Sequence, residues 1–484
     1  MNPAPIETPP GLVPPPPVAA RRSGVLNSVY DWGVRTFGQR FWQIVGLVAL
    51  LLFLGGCAVA MLLILGTSIG IQGFVVGICL AILPVPFLIA AFMWLDRYEP
   101  EPTRYLAFCL IWGGFVATLV ALFVNDGMAA LFKHVGLPQD LVAVLVAPVI
   151  EESMKALGPV LLLLYTIKKK RRTINGIVDS IVFFGISATG FAFSENILYL
   201  GGQGFDAGSN TGGTAGGLQA ALGVFIVRIP LSGFAHPLFT SMTAVGVGVE
   251  VRATNKRVRI LAPLAGWFGA MLLHGSWNLM SVLAADTKHL QILLYGYFSV
   301  FMPIFFAQVT FVMWLRSAEG RLTSTKLADY VRAGWISPPE VASLASIGRR
   351  RSARTWAKRI AGKPGDQGMR GFQLAATQLA LLRDRMDRRT EAGSPVQARD
   401  QQEEQQLLAL IGAYRSAYVG RDPSMPRALW DGARYHIAFP DGQVRLIDAP
   451  PVPVMPVPVV RAPMPAWPYG AYPPPGPYPP YMPR

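Results

Sequence analysis

The chain has 484 residues, of which 52% are hydrophobic and 15% charged, and its mean hydropathy is +0.38. These values exclude a water-soluble globular protein, in which about 25% of residues are charged. The net charge of +15 is concentrated in Lys and Arg residues beside apolar runs and comes with no recognition motif, so no nucleic-acid partner is predicted. The three cysteines, Cys57, Cys79 and Cys109, form no CxxC pair, which argues against a disulfide framework or a thiolate metal site.

The first predicted segment, residues 1–43, is a disordered proline-rich end that leads into a basic juxtamembrane stretch. Apolar runs then recur over residues 44–315, and a membrane-spanning helix needs roughly 20 such residues. We predict eight transmembrane helices, at 44–67, 73–95, 104–124, 141–165, 177–200, 218–248, 260–283 and 290–315. The Gly-rich stretch 201–217 is predicted to be a loop. The expected fold class is therefore an all-α polytopic membrane protein.

Basic residues in the connections predict the orientation of these helices, because short loops rich in Lys and Arg stay in the cytoplasm. Such residues precede the first helix, flank the second connection, form the KKKRR run 168–172 and precede the seventh helix. All these positions fall on one side of the membrane. Both termini are therefore predicted to be cytoplasmic, beside anionic lipid headgroups.

The region after the last apolar run, residues 316–448, is polar and contains short amphipathic helical patterns. We predict a small, mainly helical cytoplasmic region there, with a hairpin between Tyr435 and Ile447 around a Pro-Asp-Gly turn signal. Residues 449–484 are rich in proline and tyrosine and cannot bury a core, so a disordered tail is expected. This tail is a candidate segment for binding a protein partner, although a plain solvated tail is the favoured interpretation.

Several ionisable side chains lie inside the predicted spans, where each costs roughly 2.5 to 3.5 kcal/mol on insertion scales. They and their polar neighbours are Glu151, Glu152, Lys155, Glu195, His236, His274 and Asn278. A rise of about 1.5 Å per residue places the carboxylates and imidazoles at compatible depths, from mid-membrane toward the extracytoplasmic face. We therefore predict one outward-facing polar site shared by four helices.

Helical spacing predicts some of the pairing inside this site. Glu151 and Lys155 are four residues apart and share a face, which leaves Glu152 pointing elsewhere and free to act as a base or ligand. His274 and Asn278 share a face in the same way. Two chemistries stay open: a glutamate that activates water as a general base, and a metal, for which zinc is the candidate, bound by Glu and His. The chain has no HExxH motif.

The order and spacing of these motifs resemble the PrsW family of bacterial intramembrane proteases, within the superfamily of CAAX-prenyl endopeptidases and Abi proteins, over roughly residues 84–315. The shared elements are Asp96 through Pro102, the Glu151-Glu152 pair with Lys155, Gly190 through Asn196, His236-Pro237, and His274 through Asn278. The resemblance implies an intramembrane endopeptidase of a bacterial plasma membrane. Its implied substrate is a membrane-anchored protein, such as an anti-sigma factor, cut near the extracytoplasmic face.

The same resemblance implies roles for the site residues. Glu151 or Glu152 would activate water. Glu195, His236, His274 and Asn278 would complete the catalytic site. Glu195 stands where prenyl endopeptidases carry a histidine, so metal dependence stays open. If a metal is used, the expected ligands are Glu152, Glu195, His236 and His274.

Two other function classes fit the same residues. Buried Glu and His side chains also build proton relays, so a proton-coupled transporter or channel is one alternative. A non-catalytic scaffold that recruits partners through its cytoplasmic region and tail is another. Glu–Lys pairs and single intramembrane histidines also serve as structural contacts, and the convergence of four helices favours an active site over that interpretation.

Overall fold

The computed structural model describes residues 37–98, 100–168, 173–333, 335–336, 338–418 and 421, and three strands at 427–430, 434–438 and 444–448. The predicted disordered ends, before residue 37 and from residue 449, lie outside the described residues, as do residues 169–172 of the KKKRR run. The chain divides into two compact units, with a boundary between Glu319 and Gly320.

The first unit consists of helices, many of them joined by short π-helical segments. Its α-helices are α1 Phe37–Ala81, α2 Val85–Leu95, α3 Thr103–Ile111, α4 Thr118–His134, α5 Ala147–Lys168, α6 Ile177–Ile197, α7 Ala207–Ile226, α8 Ala235–Arg252, α9 Lys256–Asp286, α10 Leu290–Gly296 and the first part of α11 Met302–Arg332. The rest of α11, from Gly320, belongs to the second unit. The π-helical segments are Trp112–Ala117, Val142–Val146, Leu198–Asp206, Val227–Leu231 and Tyr297–Phe301. Such segments are rare and frequently lie at functional sites.

Five helical stretches of the described chain are long and apolar enough to cross a membrane. They are Phe41–Leu95, Thr103–His134, Ile177–Arg252, Lys256–Asp286 and Leu290–Arg332. These stretches support an integral membrane protein, and the count of eight helices stays a prediction. Helix α5 is not among the five, and it carries Glu151, Glu152 and Lys155 within a single turn and a half.

Helix α6 lies at the centre of this unit, because residues on all of its faces are buried. A helix that is apolar all round has no polar face to turn outward and is stable when surrounded by protein. Its backbone approaches that of the segment Trp112–Ala117 so closely that a Cβ atom on Gly113 would overlap the carbonyl oxygen of Ser187. A Cβ atom on Gly190 would likewise overlap the carbonyl oxygen of Leu110. These glycines fix the position of the helix that carries Glu195.

The Gly-rich stretch 201–217 is helical, so the predicted loop is wrong. A π-helical segment continues directly into α7, and the helical backbone breaks only at Gly212 and Gly213. Gly213 has a φ of 61°, a conformation that glycine adopts without a steric penalty.

The predicted helix 218–248 is interrupted before His236. Ser232–Phe234 forms a turn, and α8 begins at Ala235, so His236 lies in the first turn of a new helix rather than deep inside a long one. Pro230, which has no N–H to donate to the helix, stands just before this turn. The interruption places His236 at a helix end that faces the neighbouring carboxylates.

The second unit contains α12 Pro338–Leu344, α13 Ile347–Glu391 and α14 Ala398–Arg415, followed by an antiparallel sheet of β1 Arg427–Trp430, β2 Arg434–Ala438 and β3 Val444–Asp448. Tyr435 lies opposite Ile447 in the β2–β3 pair, which confirms the predicted hairpin. Strand β1 was not predicted. The helices enclose their own core, which includes Tyr330, Phe372 and Ile411.

Candidate active site

Glu152, on α5, is fully buried and held by three side chains. Its Oε1 lies 2.8 Å from Nζ of Lys155 and 3.0 Å from Nδ1 of His274. Its Oε2 accepts a hydrogen bond of 2.7 Å from Oγ1 of Thr240 on α8. The expectation that Glu152 points away from the lysine and is free is therefore wrong, because its carboxylate contacts Lys155 as well as His274 and Thr240.

Glu151 has longer contacts than its neighbour. The predicted pair with Lys155 is confirmed at 3.4 Å between Oε2 and Nζ. The Asn125 amide donates to its Oε1 at 3.4 Å, and Nε2 of His274 lies 3.7 Å from its Oε2. These distances leave the Glu151 carboxylate more available than that of Glu152 for a new ligand.

Lys155 is the buried cation of the cluster and has no solvent exposure. Besides the two carboxylates, its Nζ lies 2.9 Å from Nδ1 of His236 and 4.0 Å from the centre of the Phe191 ring. An ammonium group donates hydrogen bonds and cannot accept them, so Nδ1 of His236 is the acceptor in this contact. The sequence predicts Lys155 as a partner of Glu151. It does not predict a place for Lys155 among the catalytic residues.

His236 joins the lysine to the second acidic group of the site. Its Nε2 lies 2.6 Å from Oε2 of Glu195 on α6, and the same oxygen lies 2.6 Å from Nη2 of Arg228. Arg228 also donates from Nε to the Asn196 side chain at 3.2 Å. Glu195 and Arg228 keep 17% side-chain exposure each, so they form the open rim of the cluster.

His274, on α9, completes the group of imidazoles. It is buried, stacks on Phe239 and lies edge-on to His236, with ring centres 5.4 Å apart. Because Nδ1 faces Glu152, its hydrogen bond leaves Nε2 directed toward Glu151. The side chains of α5, α6, α8 and α9 therefore meet in one buried network.

Asn278 lies one turn beyond His274, but its amide donates to the backbone carbonyl of Ala143 at 2.7 Å. That bond joins α9 to the segment that precedes α5. Gly275 supports the same approach, because a Cβ atom there would lie 2.9 Å from the carbonyl oxygen of Val144. The contacts described for Asn278 are those of a helix bridge.

Thr240 and Arg228 also belong to the network and were not predicted as site residues, although the sequence holds a signal for each. Thr240 lies four residues after His236, a spacing that places both side chains on one face of α8. Arg228 is a charged residue within an apolar run, where a partner is expected. The structure provides that partner, because Arg228 pairs with Glu195.

Residues 101–308 match the model of a family described as PrsW family intramembrane metalloprotease. Residues 101–308 therefore form a PrsW-family domain. The match contains the whole cluster from Asn125 to His274 and leaves the second unit outside it. No curated protein and no solved structure matches the chain. The chain is thus an intramembrane peptidase, and the Glu and His residues of its PrsW domain are compatible with a catalytic site.

The description of the PrsW family implies a metal, and the donor atoms of this site fit one. The ligand atoms of Glu151, His236 and His274 lie within 4.8 Å of one another, and all three residues are buried. One carboxylate with two imidazoles is a ligand set that catalytic zinc uses. The numbers of acidic and basic groups agree as well, because three carboxylates of the cluster face two basic side chains, Lys155 and Arg228.

The remaining carboxylates orient the imidazoles of this PrsW site. Glu152 accepts from His274 and Glu195 accepts from His236, an arrangement that leaves one lone-pair nitrogen on each ring. On His236 that nitrogen is Nδ1, which Lys155 contacts, so binding of a metal there requires the Lys155 contact to open. Glu152 and Glu195, which were predicted as ligands, are each engaged by a histidine.

Proposed function

We propose that the protein hydrolyses a peptide bond of a membrane-anchored protein near the extracytoplasmic face of a bacterial plasma membrane. The observation that carries this proposal is the buried network of carboxylates and imidazoles from four helices, within a PrsW-family domain. Such a network concentrates proton acceptors and ligands where hydrocarbon would otherwise exclude them. A membrane-anchored anti-sigma factor is the substrate type that fits this placement.

We assign metal binding to Glu151, His236 and His274, with zinc as the first candidate. When bound, the metal supplies a water molecule that ionises near neutral pH. Glu152 and Thr240 hold His274 in position, and Arg228 holds Glu195. Each of these groups acts on the orientation of another side chain.

Glu195 is the proposed proton acceptor. Its Oε2 is occupied by His236 and Arg228, whereas its Oε1 has no hydrogen bond to any residue in the described part of the chain. In the proposed step, the water oxygen attacks the peptide carbonyl carbon while Glu195 takes a water proton at Oε1. The same proton then passes to the leaving nitrogen as the C–N bond breaks.

Glutamine variants separate these roles in the purified full chain, reconstituted with a membrane-anchored anti-sigma factor as reporter. We expect Glu151→Gln to lose both bound metal and cleavage. Glu195→Gln should lose cleavage but keep the metal, as measured by elemental analysis. Glu250→Gln is the matched control, because Glu250 pairs with an exposed arginine outside the cluster. Undiminished cleavage by the Glu151→Gln/Glu152→Gln double variant would refute the proposed site.

The sidedness of cleavage is tested with the same reporter in vesicles of known orientation. Mass spectrometry of the two fragments should place the new terminus on the extracytoplasmic side of the reporter's span. A new terminus on the cytoplasmic side contradicts the proposed orientation and leaves the peptidase assignment intact.

A further inference from the structure

The first half of α13 carries an unusual charge pattern. Residues 346–365 contain seven Lys or Arg residues and no Asp or Glu. Two of these cations are used inside the unit: Arg350 is buried and donates to Thr377, and Arg354 pairs with Asp366. The other five are exposed, and none forms an ion pair within the described residues: Arg349, Arg351, Lys358, Arg359 and Lys363.

Three of these exposed cations, Arg351, Lys358 and Arg359, lie on the side of α13 that faces away from its core. Ala357 is fully buried and Trp356 packs against the same core, so the opposite side of the helix is fixed by packing. Lys358 and Arg359 both lie about two helical turns after Arg351, which places the three side chains on one outer face. We call Arg351, Lys358 and Arg359 the basic face. Lys363 is not included, because the helical backbone breaks at Gly362, where φ is 64°.

The rest of the helical pair α13–α14 does not share this pattern. In the second half of α13, Arg385 pairs with Glu403, and Arg389 pairs with Asp400. Arg388 pairs with Asp384 within the helix. These three arginines therefore have acidic partners within the unit, whereas the basic face has none among the residues described.

We propose that the basic face docks on the anionic phospholipid headgroups of the cytoplasmic leaflet. Clustered Lys and Arg near a membrane are attracted by its negative surface potential, at about 1 kcal/mol per residue. Helix α11 continues from the last apolar run past residue 316 without a break. The basic face therefore follows a membrane-spanning stretch closely along the sequence. This proposal rests on the cytoplasmic placement of the unit and is independent of the peptidase activity.

Lipid headgroups fit the observations better than nucleic acid does. Attraction to a charged surface needs a row of cations and no base-reading side chains, which matches a helix face of exposed Lys and Arg. The sequence has no nucleic-acid recognition motif beside these cations. Nucleic acid is therefore treated as a competing outcome of the test.

The test uses the full chain in nanodiscs of neutral phosphatidylcholine, which leave the basic face without anionic lipid. Binding to added vesicles is measured by flotation, with and without phosphatidylglycerol in the vesicles. We expect binding only to the phosphatidylglycerol vesicles. The variant Arg351→Gln/Lys358→Gln/Arg359→Gln should bind them on the order of a hundredfold more weakly, and high salt should weaken the native chain similarly.

Two further variants make the result specific. Arg385→Gln/Arg389→Gln/Arg399→Gln removes three other positive charges from the same unit and should bind vesicles like the native chain. Arg351→Lys/Arg359→Lys keeps the charge and should also bind. Thermal melting checks that every variant is folded. Equal vesicle binding by the basic-face variant and the native chain overturns the proposal, and so does tighter binding of the native chain to duplex DNA than to the anionic vesicles.

Discussion

The ammonium nitrogen of Lys155 lies 2.9 Å from Nδ1 of His236, and this contact joins α5 to α8 at the centre of the site. The same nitrogen neutralises Glu152 at 2.8 Å. One buried cation therefore sets both the charge of a carboxylate and the orientation of an imidazole.

Replacement of Lys155 by Met should abolish cleavage and reduce the free energy of unfolding by about 3 to 5 kcal/mol, because one partner of a buried ion pair is then left without compensation. Denaturation in detergent micelles measures the loss. Adding Glu152→Gln to Lys155→Met should recover part of the stability. Native stability of Lys155→Met alone would contradict the structural account of this pair.

Thr240→Val removes the hydroxyl that donates to Glu152 and keeps the side-chain shape. A buried carboxylate oxygen without its donor costs about 1 to 3 kcal/mol, so the melting temperature should fall. Cleavage should also slow, since Glu152 orients His274. Thr240→Ser keeps the hydroxyl and should retain both properties. If Val and Ser variants behave alike, the hydrogen bond has no role.

Gly113→Ala should destabilise the membrane unit, because the added methyl group overlaps the carbonyl oxygen of Ser187 on α6. The control is Gly127→Ala on α4, where a Cβ atom meets no other atom within 4 Å. Alanine there should stabilise the helix by up to about 1 kcal/mol, from helix propensity alone. Melting temperatures of the two variants should therefore move in opposite directions, and a shared direction contradicts the close approach of these helices.

Asp96, between α2 and α3, predicts a pH dependence of stability. Burial raises its pKa from 3.8 to about 8, the Glu101 backbone N–H opposes this, and the charge of Asp179 adds to it. The folded protein therefore holds a proton that the unfolded chain releases between these two pKa values. Stability is fully present at low pH and falls as the pH rises toward about 8.

The variant Asp96→Asn cannot ionise and keeps an oxygen that accepts from the Glu101 N–H. Its melting temperature should fall less steeply with pH across this interval, and at neutral pH it should exceed that of the native chain. Melting curves collected from roughly pH 3 to pH 9, a range that covers the interval between the two pKa values, measure both. An unchanged slope excludes Asp96 as the titrating group.

The local pairing in the site followed from the sequence, because it depends on spacing along one helix. Glu151 and Lys155 share a face of α5 whatever surrounds them. The gathering of Glu195, His236 and His274 followed from the cost of leaving ionisable groups in hydrocarbon. Membrane insertion thus supplies a constraint that a soluble chain of this composition would lack.

Two partners of Glu152, Thr240 and His274, did not follow from the sequence, because they come from other helices. Thr240 and His274 reach this carboxylate only through the packing of α8 and α9 against α5. The break before Ala235 likewise depends on how the backbone is satisfied around it. Spacing along a single helix carries no information about such contacts.

Glycine composition gave the wrong prediction for residues 201–217. Glycine-rich polar stretches usually form loops in water. Within a bilayer, a backbone without internal hydrogen bonds costs several kcal/mol for each unsatisfied group, which favours the helical conformation even for glycine. The helix continues there apart from the break at Gly212 and Gly213.

The burial of α6 on all faces separates Glu195 from the surrounding lipid. A helix that does not touch lipid has no hydrophobic mismatch of its own, so a change in bilayer thickness acts first on the outer helices through tilt. Many apolar side chains of α1, including Leu52, Leu63 and Ile71, are exposed and meet the acyl chains directly. We therefore expect the position of Glu195 to change little with the acyl-chain length of the surrounding membrane.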